Sequence, residues 1–172
     1  MNTIKNMETK IIKVQWDGPF SYEEVKEFNG KKDYGIYIAF GNHRIYGMDS
    51  LLYVGKAFDQ TFLTRINQHT DWPGTEYYYL GRICGTGKTT YKTWHEEVDY
   101  LETQIIQHCL PSWNASKLNY TNKTYEFENP IILNNICNFH KSQLVSILPA
   151  VMCNWMLKDA EKWEAFSNDD ME

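Results

Sequence analysis

From Trp94 to Cys109 the apolar residues recur at helical spacing, and Pro111 closes the run. With Val98 at zero on a wheel of about 100° per residue, Leu101, Ile105 and Cys109 fall within about 60° of it and Glu102 at about 40°. A carboxylate therefore lies on the apolar face of the best helix in the chain. Unpaired and buried, such a group is costly, so Glu102 needs a cation, a metal or a proton. Glu97 and Asp99 fall at the edges of the same face, where solvation is easy.

The rest of the chain reads as short strands and shorter helices. Lys10 to Trp16 has strand character and Gly18-Pro19 breaks it. Ser21 with Glu24 forms a capping-box pattern that opens a helix to about Phe28. Tyr34 to Phe40 and Leu51 to Val54 read as strands. The polar stretch Gly41 to Ser50, with His43 and Arg44, makes them a hairpin with a long loop that is either inert or touches substrate. From Thr61 the spacing of Phe62, Leu63 and Ile66 is helical, and Trp72-Pro73-Gly74 stops it. Glu76 to Ile83 is a third strand. Lys117 to Glu128 is polar and turn-rich, and Ile131 to Phe166 reads as two helical pieces divided near Pro149. The expected fold is α/β (α+β): a small three-stranded antiparallel sheet flanked by helices, with an N-terminal strand and a C-terminal helical extension. The matching division is residues 1–33 as N-terminal extension, 34–117 as core, and 118–172 as helical extension with an acidic tail.

Composition narrows the function. Apolar residues make up 42% of the 172 and aromatics 15%, as in a folded domain. The net charge of −5 is unusual for a nucleic-acid binder, but residues 1–157 hold 16 acidic and 15 basic side chains. Phosphate binding would then need a local cluster of Lys and Arg. The four cysteines are far apart, so neither a zinc site nor a redox pair is signalled. The N-terminus has no apolar signal core. The apolar stretch Leu144–Leu157 is too short to span a bilayer, so no membrane is expected and the cytoplasm is the default.

An ordered series of residues carries the functional signal. Gly35-Ile36-Tyr37 is followed by Tyr53-Val54-Gly55-Lys56, then by Arg65 and His69 on one helix face, then by Glu102, and finally by Leu110-Pro111-Ser112-Trp113-Asn114. The series resembles the GIY-YIG endonuclease family, with Val54 where the family has its second isoleucine, and covers roughly residues 34–117. The resemblance implies hydrolysis of DNA phosphodiester bonds with Mg²⁺ (or Mn²⁺) held by Glu102.

Such hydrolysis needs a base for water, a cation for the phosphorane, and help for the leaving oxygen. Arg65 offers a guanidinium fork suited to phosphate. Tyr37 and His69 are rival general bases; a tyrosine serves only if cations lower its pKa from about 10. Tyr53 would orient water or phosphate, and Asn114 would brace the site. Gly55 would let nucleic acid approach the backbone, and Lys56 would contact phosphate. Arg82, Lys88 and Lys92 form a flexible basic loop that is a candidate DNA contact.

Two other functions compete. A nuclease-like fold could serve as an inactive nucleic-acid-binding module. Gly81–Thr90 also resembles the phosphate loop of an NTPase, but five residues separate Gly81 from Gly87, one too many, and Arg82 fills a glycine position. The aromatic C-terminal residues Trp155, Trp163 and Phe166 suggest a homodimer contact.

Overall fold

The computed structural model describes residues 10–69, 72–84, 90–117 and 131–137, and a strand at 151–153. Strand β1 (Lys10–Phe20) alternates: Ile12, Val14 and Trp16 are buried, while Ile11 and Lys13 face out. That period of two is what a sheet with a covered face requires. Gly18-Pro19 does not end the strand. The ladder slips between Asp17 and Phe20 and resumes.

Strands β2 (Gly35–His43), β3 (Gly47–Ala57) and β4 (Thr75–Cys84) pair antiparallel, with β2 between the other two. Strand β1 adds antiparallel to β4. Strands β5 (Ile131–Cys137) and β6 (Val151–Cys153) complete the order β3-β2-β4-β1-β5-β6. The α+β class holds, but the sheet has six strands among the described residues, not three. β1 and β5 lie parallel, and so the segments outside 34–117 belong to the same sheet.

Ile131–Cys137 is a strand where a helix was expected. Ile131, Leu133 and Asn135 are buried at alternate positions, and the Asn135 side-chain oxygen accepts a 3.0 Å hydrogen bond from the Trp16 indole. The remainder of the expected C-terminal helices, with Trp155, Trp163 and Phe166, lies outside the described residues.

The expected long loop is mostly ladder. β2 and β3 run on until His43 faces Gly47, leaving Arg44–Tyr46 as the turn. The polar side chains there project into solvent while their backbone groups pair across the strands, and two register shifts absorb the extra length. Tyr37 therefore stands opposite Gly55, and Tyr53 opposite Ala39, which makes the two tyrosines diagonal neighbours on one face.

Helices cover both faces. Helix α1 (Tyr22–Val25) starts on the expected capping box, with Glu24 Oε2 accepting from the Ser21 amide at 2.7 Å, but stops short of Phe28. With α2 (Phe62–Asn67) it packs Val25, Phe62 and Ile66 against Tyr37, Ala39, Ala57 and Leu80. Helix α3 (Tyr91–Cys109) packs Val98, Leu101, Ile105 and Ile106 against Val14, Trp16, Ile36, Ile38 and Val54 on the opposite face. Burying each such side chain contributes about 1.5–3 kcal/mol. Leu110 ends α3 in the left-handed conformation, φ 48°, and its amide donates to Ile106. The chain then turns back along β3, the edge of the sheet.

Candidate active site

The site forms where both helical layers meet the β3 edge. Tyr37 is fully buried on β2, and its ring centroid lies 6.0 Å from that of Tyr53 on β3. The Tyr53 ring lies 5.5 Å from His69, just beyond α2, and 4.3 Å from Trp72. His69 in turn stacks on Trp72 at 4.2 Å. Arg65, one turn before His69, donates to Gln68 Oε1 at 2.6 Å, and its charge is felt by Tyr37, Tyr53 and His69. The Tyr37 hydroxyl and His69 Nε2 are buried without a hydrogen-bond partner. Buried polar atoms are ordinarily satisfied, and these two belong to rings that share Tyr53 as a neighbour.

Glu102 is buried on α3, as its position on the apolar face anticipated. Its Oε2 lies 2.6 Å from Lys117 Nζ and 3.4 Å from Lys56 Nζ. Asp99 joins the same cluster, paired with Lys56 and 2.9 Å from Lys117. Asp99 is thus no simple solvated edge residue. Glu97 is buried too, against Lys10 at 2.8 Å. Lys117 and Asp99 were missed from sequence. The signal that could have found Lys117 is the unmatched charge of Glu102 itself, which required a cation from somewhere.

Asn114 braces the edge strand. Its side-chain oxygen accepts from the Val54 amide and its side-chain nitrogen donates to the Val54 carbonyl, both at 2.9 Å. One amide side chain thus replaces the missing neighbour strand at that residue. The Trp113 amide donates to Leu52 O at 2.8 Å, which continues the pairing.

Three expected nucleic-acid contacts have other surroundings. The space beside Gly55 is filled by rings: an added Cβ would lie 2.5 Å from Tyr37 Cζ and 2.6 Å from Tyr53 Cε1, so the glycine serves packing rather than an open approach. Lys56 is held by Asp99 and Glu102 and lies 4.7 Å from the Phe58 ring. Arg82 belongs to β4, not to a loop, and its guanidinium bonds Asp17 and Asp33 at 2.8 Å each. Lys92 is exposed on the first turn of α3, 3.9 Å from Glu96. Lys88, and with it half of the phosphate-loop-like segment, lies outside the described residues; Gly81 itself is mid-strand against the Trp16 ring.

Electrostatics separates the two candidate bases. Burial, then the neighbouring Tyr53, pushes the Tyr37 hydroxyl pKa far above the usual tyrosine value, and Arg65 only partly offsets this. Tyr53 is raised as well, by burial and by Glu102. His69 is lowered by burial and by Arg65, so its imidazole is neutral at pH 7. Burial works against the Lys117 charge, but Glu102 and Asp99 outweigh it and hold its pKa above the ordinary lysine value.

The chain matches no family model, no curated protein and no solved structure. Among the described residues no helix is long and apolar enough to cross a membrane, and no three His, Cys, Asp or Glu side chains gather as a metal-binding group. Glu102 supplies one hard oxygen donor, with Asp99 close by on the same lysines. Both carboxylates are held by Lys56 and Lys117.

Proposed function

We propose that this chain is a metal-dependent endonuclease of GIY-YIG type that hydrolyses DNA phosphodiester bonds. One observation carries the reading. Tyr37, Tyr53, Arg65 and His69 gather on one face of the sheet around two buried polar atoms without partners, and the charge of Glu102, on the helix of the other face, acts on both tyrosines. A binding surface has no need of a neutral imidazole stacked beside a buried pair of tyrosines and an arginine.

In this mechanism His69 takes the proton from the attacking water, because its imidazole is already neutral at pH 7. Tyr37 stays protonated and, fully buried next to Tyr53, positions that ring rather than touching phosphate itself. Arg65, oriented by Gln68, stabilises charge on the phosphorane. Tyr53 orients phosphate, and Asn114 fixes the strand that carries Tyr53 and Lys56. Glu102 would hold Mg²⁺ (or Mn²⁺), which when bound supplies Lewis-acid stabilisation of the leaving oxygen.

A nucleic-acid-binding module without activity is the second reading. It is favoured by the charge balance of Glu102 and Asp99 against Lys56 and Lys117. Nicking of supercoiled DNA by purified protein separates the two. The nuclease reading expects open-circular product with Mg²⁺ and none with EDTA; no product under either condition leaves the binding module.

A further inference from the structure

His69 follows the end of α2, and its carbonyl accepts from the Trp72 amide at 3.2 Å, a turn that brings the indole back over the imidazole. Among the described residues the imidazole makes no hydrogen bond and no ion pair. Rings hold it instead. The Trp72 indole stacks on it at 4.2 Å with 27° between the planes, and Tyr53 lies 5.5 Å away at 45°. Trp72 is itself braced, edge-on to Tyr53 at 4.3 Å and to Trp113 at 5.5 Å. The Trp113 amide is tied to Leu52 of β3, beside the two bonds from Asn114 to Val54. The indole is thus fixed from two sides, and through Trp113 to the sheet edge.

A general base is ordinarily oriented by a third group, often a carboxylate that also stabilises the imidazolium. His69 has no such partner. The charge that acts on it, from Arg65 on α2, is positive and opposes protonation. Tyr53, facing it from β3, is neutral at pH 7. An indole face can supply the missing attraction, because its π-cloud is negative and draws a cation lying within about 6 Å of the ring centre.

We propose that Trp72 is a positioning residue for His69: the indole sets the plane of the imidazole and attracts the positive charge that the ring gains with a proton. The source of that proton rests on the nuclease reading, in which water gives it to His69 and attacks phosphorus as hydroxide. The stacking role is tested without cleavage.

The test is an NMR pH titration of the full chain without DNA, with the His69 signal assigned by its loss in His69→Gln. Trp72→Leu keeps the imidazole covered but removes the π face, and the measured His69 pKa is expected to drop by about 0.5 or more. Trp72→Phe keeps a weaker face and should fall between Trp72→Leu and wild type; it carries the test if Trp72→Leu does not fold. A His69 pKa that stays at the wild-type value or rises overturns the proposal, since loss of cover alone raises it. Under the nuclease reading kcat should fall about tenfold in Trp72→Leu with KM unchanged, and a wild-type kcat overturns the proposal as well. A lowered pKa in a protein that never nicks DNA would keep the stacking role and remove the nuclease reading. Nicking with an unchanged or raised pKa would do the reverse.

Discussion

Gly55 stands opposite Tyr37 across the β2–β3 ladder, close enough that a Cβ there would lie 2.5 Å from Tyr37 Cζ. Both faces of that space are ring, and Tyr37 is fully buried, so the ring has nowhere to swing. Gly55→Ala is expected to cost about 1–3 kcal/mol through overpacking, read as a lower urea midpoint with an unchanged slope. Because the displaced group is the Tyr37 hydroxyl, cleavage should fall beyond what the loss of folded protein explains. Wild-type stability and activity would contradict this packing.

Asn114 closes the sheet edge with two hydrogen bonds to Val54. Asn114→Ala leaves a buried amide and carbonyl unpaired and is expected to cost about 2 kcal/mol or more. Asn114→Asp should not rescue, since a carboxylate accepts from the amide but repels the carbonyl. Urea unfolding of the three proteins checks both expectations.

The pH profile distinguishes the bases. His69 has a lowered pKa, so it takes up its proton only below the ordinary imidazole value of about 6.5. A base must be neutral, so kcat/KM should be flat from about pH 7 upward and fall as pH drops below about 6.5. His69→Gln should lower the plateau by about 10²-fold or more and remove the acid limb. If Tyr37 were the base, its raised pKa would make the rate climb through the alkaline range instead.

Much of this arrangement is legible in the sequence, for identifiable reasons. Glu102 stands out because helical period places a charge among Val98, Leu101 and Ile105, and those neighbours are buried with it. The capping box of α1 and the strands β2, β3 and β4 carry their signals locally. Three things escape a local reading. Ile131–Cys137 has a period of two, but a short apolar run fits helix and strand alike until β1 supplies its partner. Gly41–Ser50 looks like loop because its side chains are polar, although its backbone pairs. Lys117 meets Glu102 through a turn without periodicity, and only the folded chain brings the two charges together.

Arg82 is expected to act in the fold. Its guanidinium bonds Asp17 and Asp33 and lies 5.4 and 5.3 Å from the Phe28 and Phe62 rings. Arg82→Met should cost about 1–3 kcal/mol by leaving two partly buried carboxylates without their donor. The salt dependence of DNA affinity should stay unchanged. A slope reduced by about one unit would instead make Arg82 a phosphate contact.

The central claim concerns Glu102. Supercoiled DNA is incubated with wild type and Glu102→Gln in Mg²⁺, and DNA affinity is measured in parallel. Wild type should nick, and Glu102→Gln should lose cleavage by about 10³-fold or more while its DNA affinity stays within a few-fold of wild type. A Glu102→Gln protein that nicks at the wild-type rate would contradict the mechanism outright.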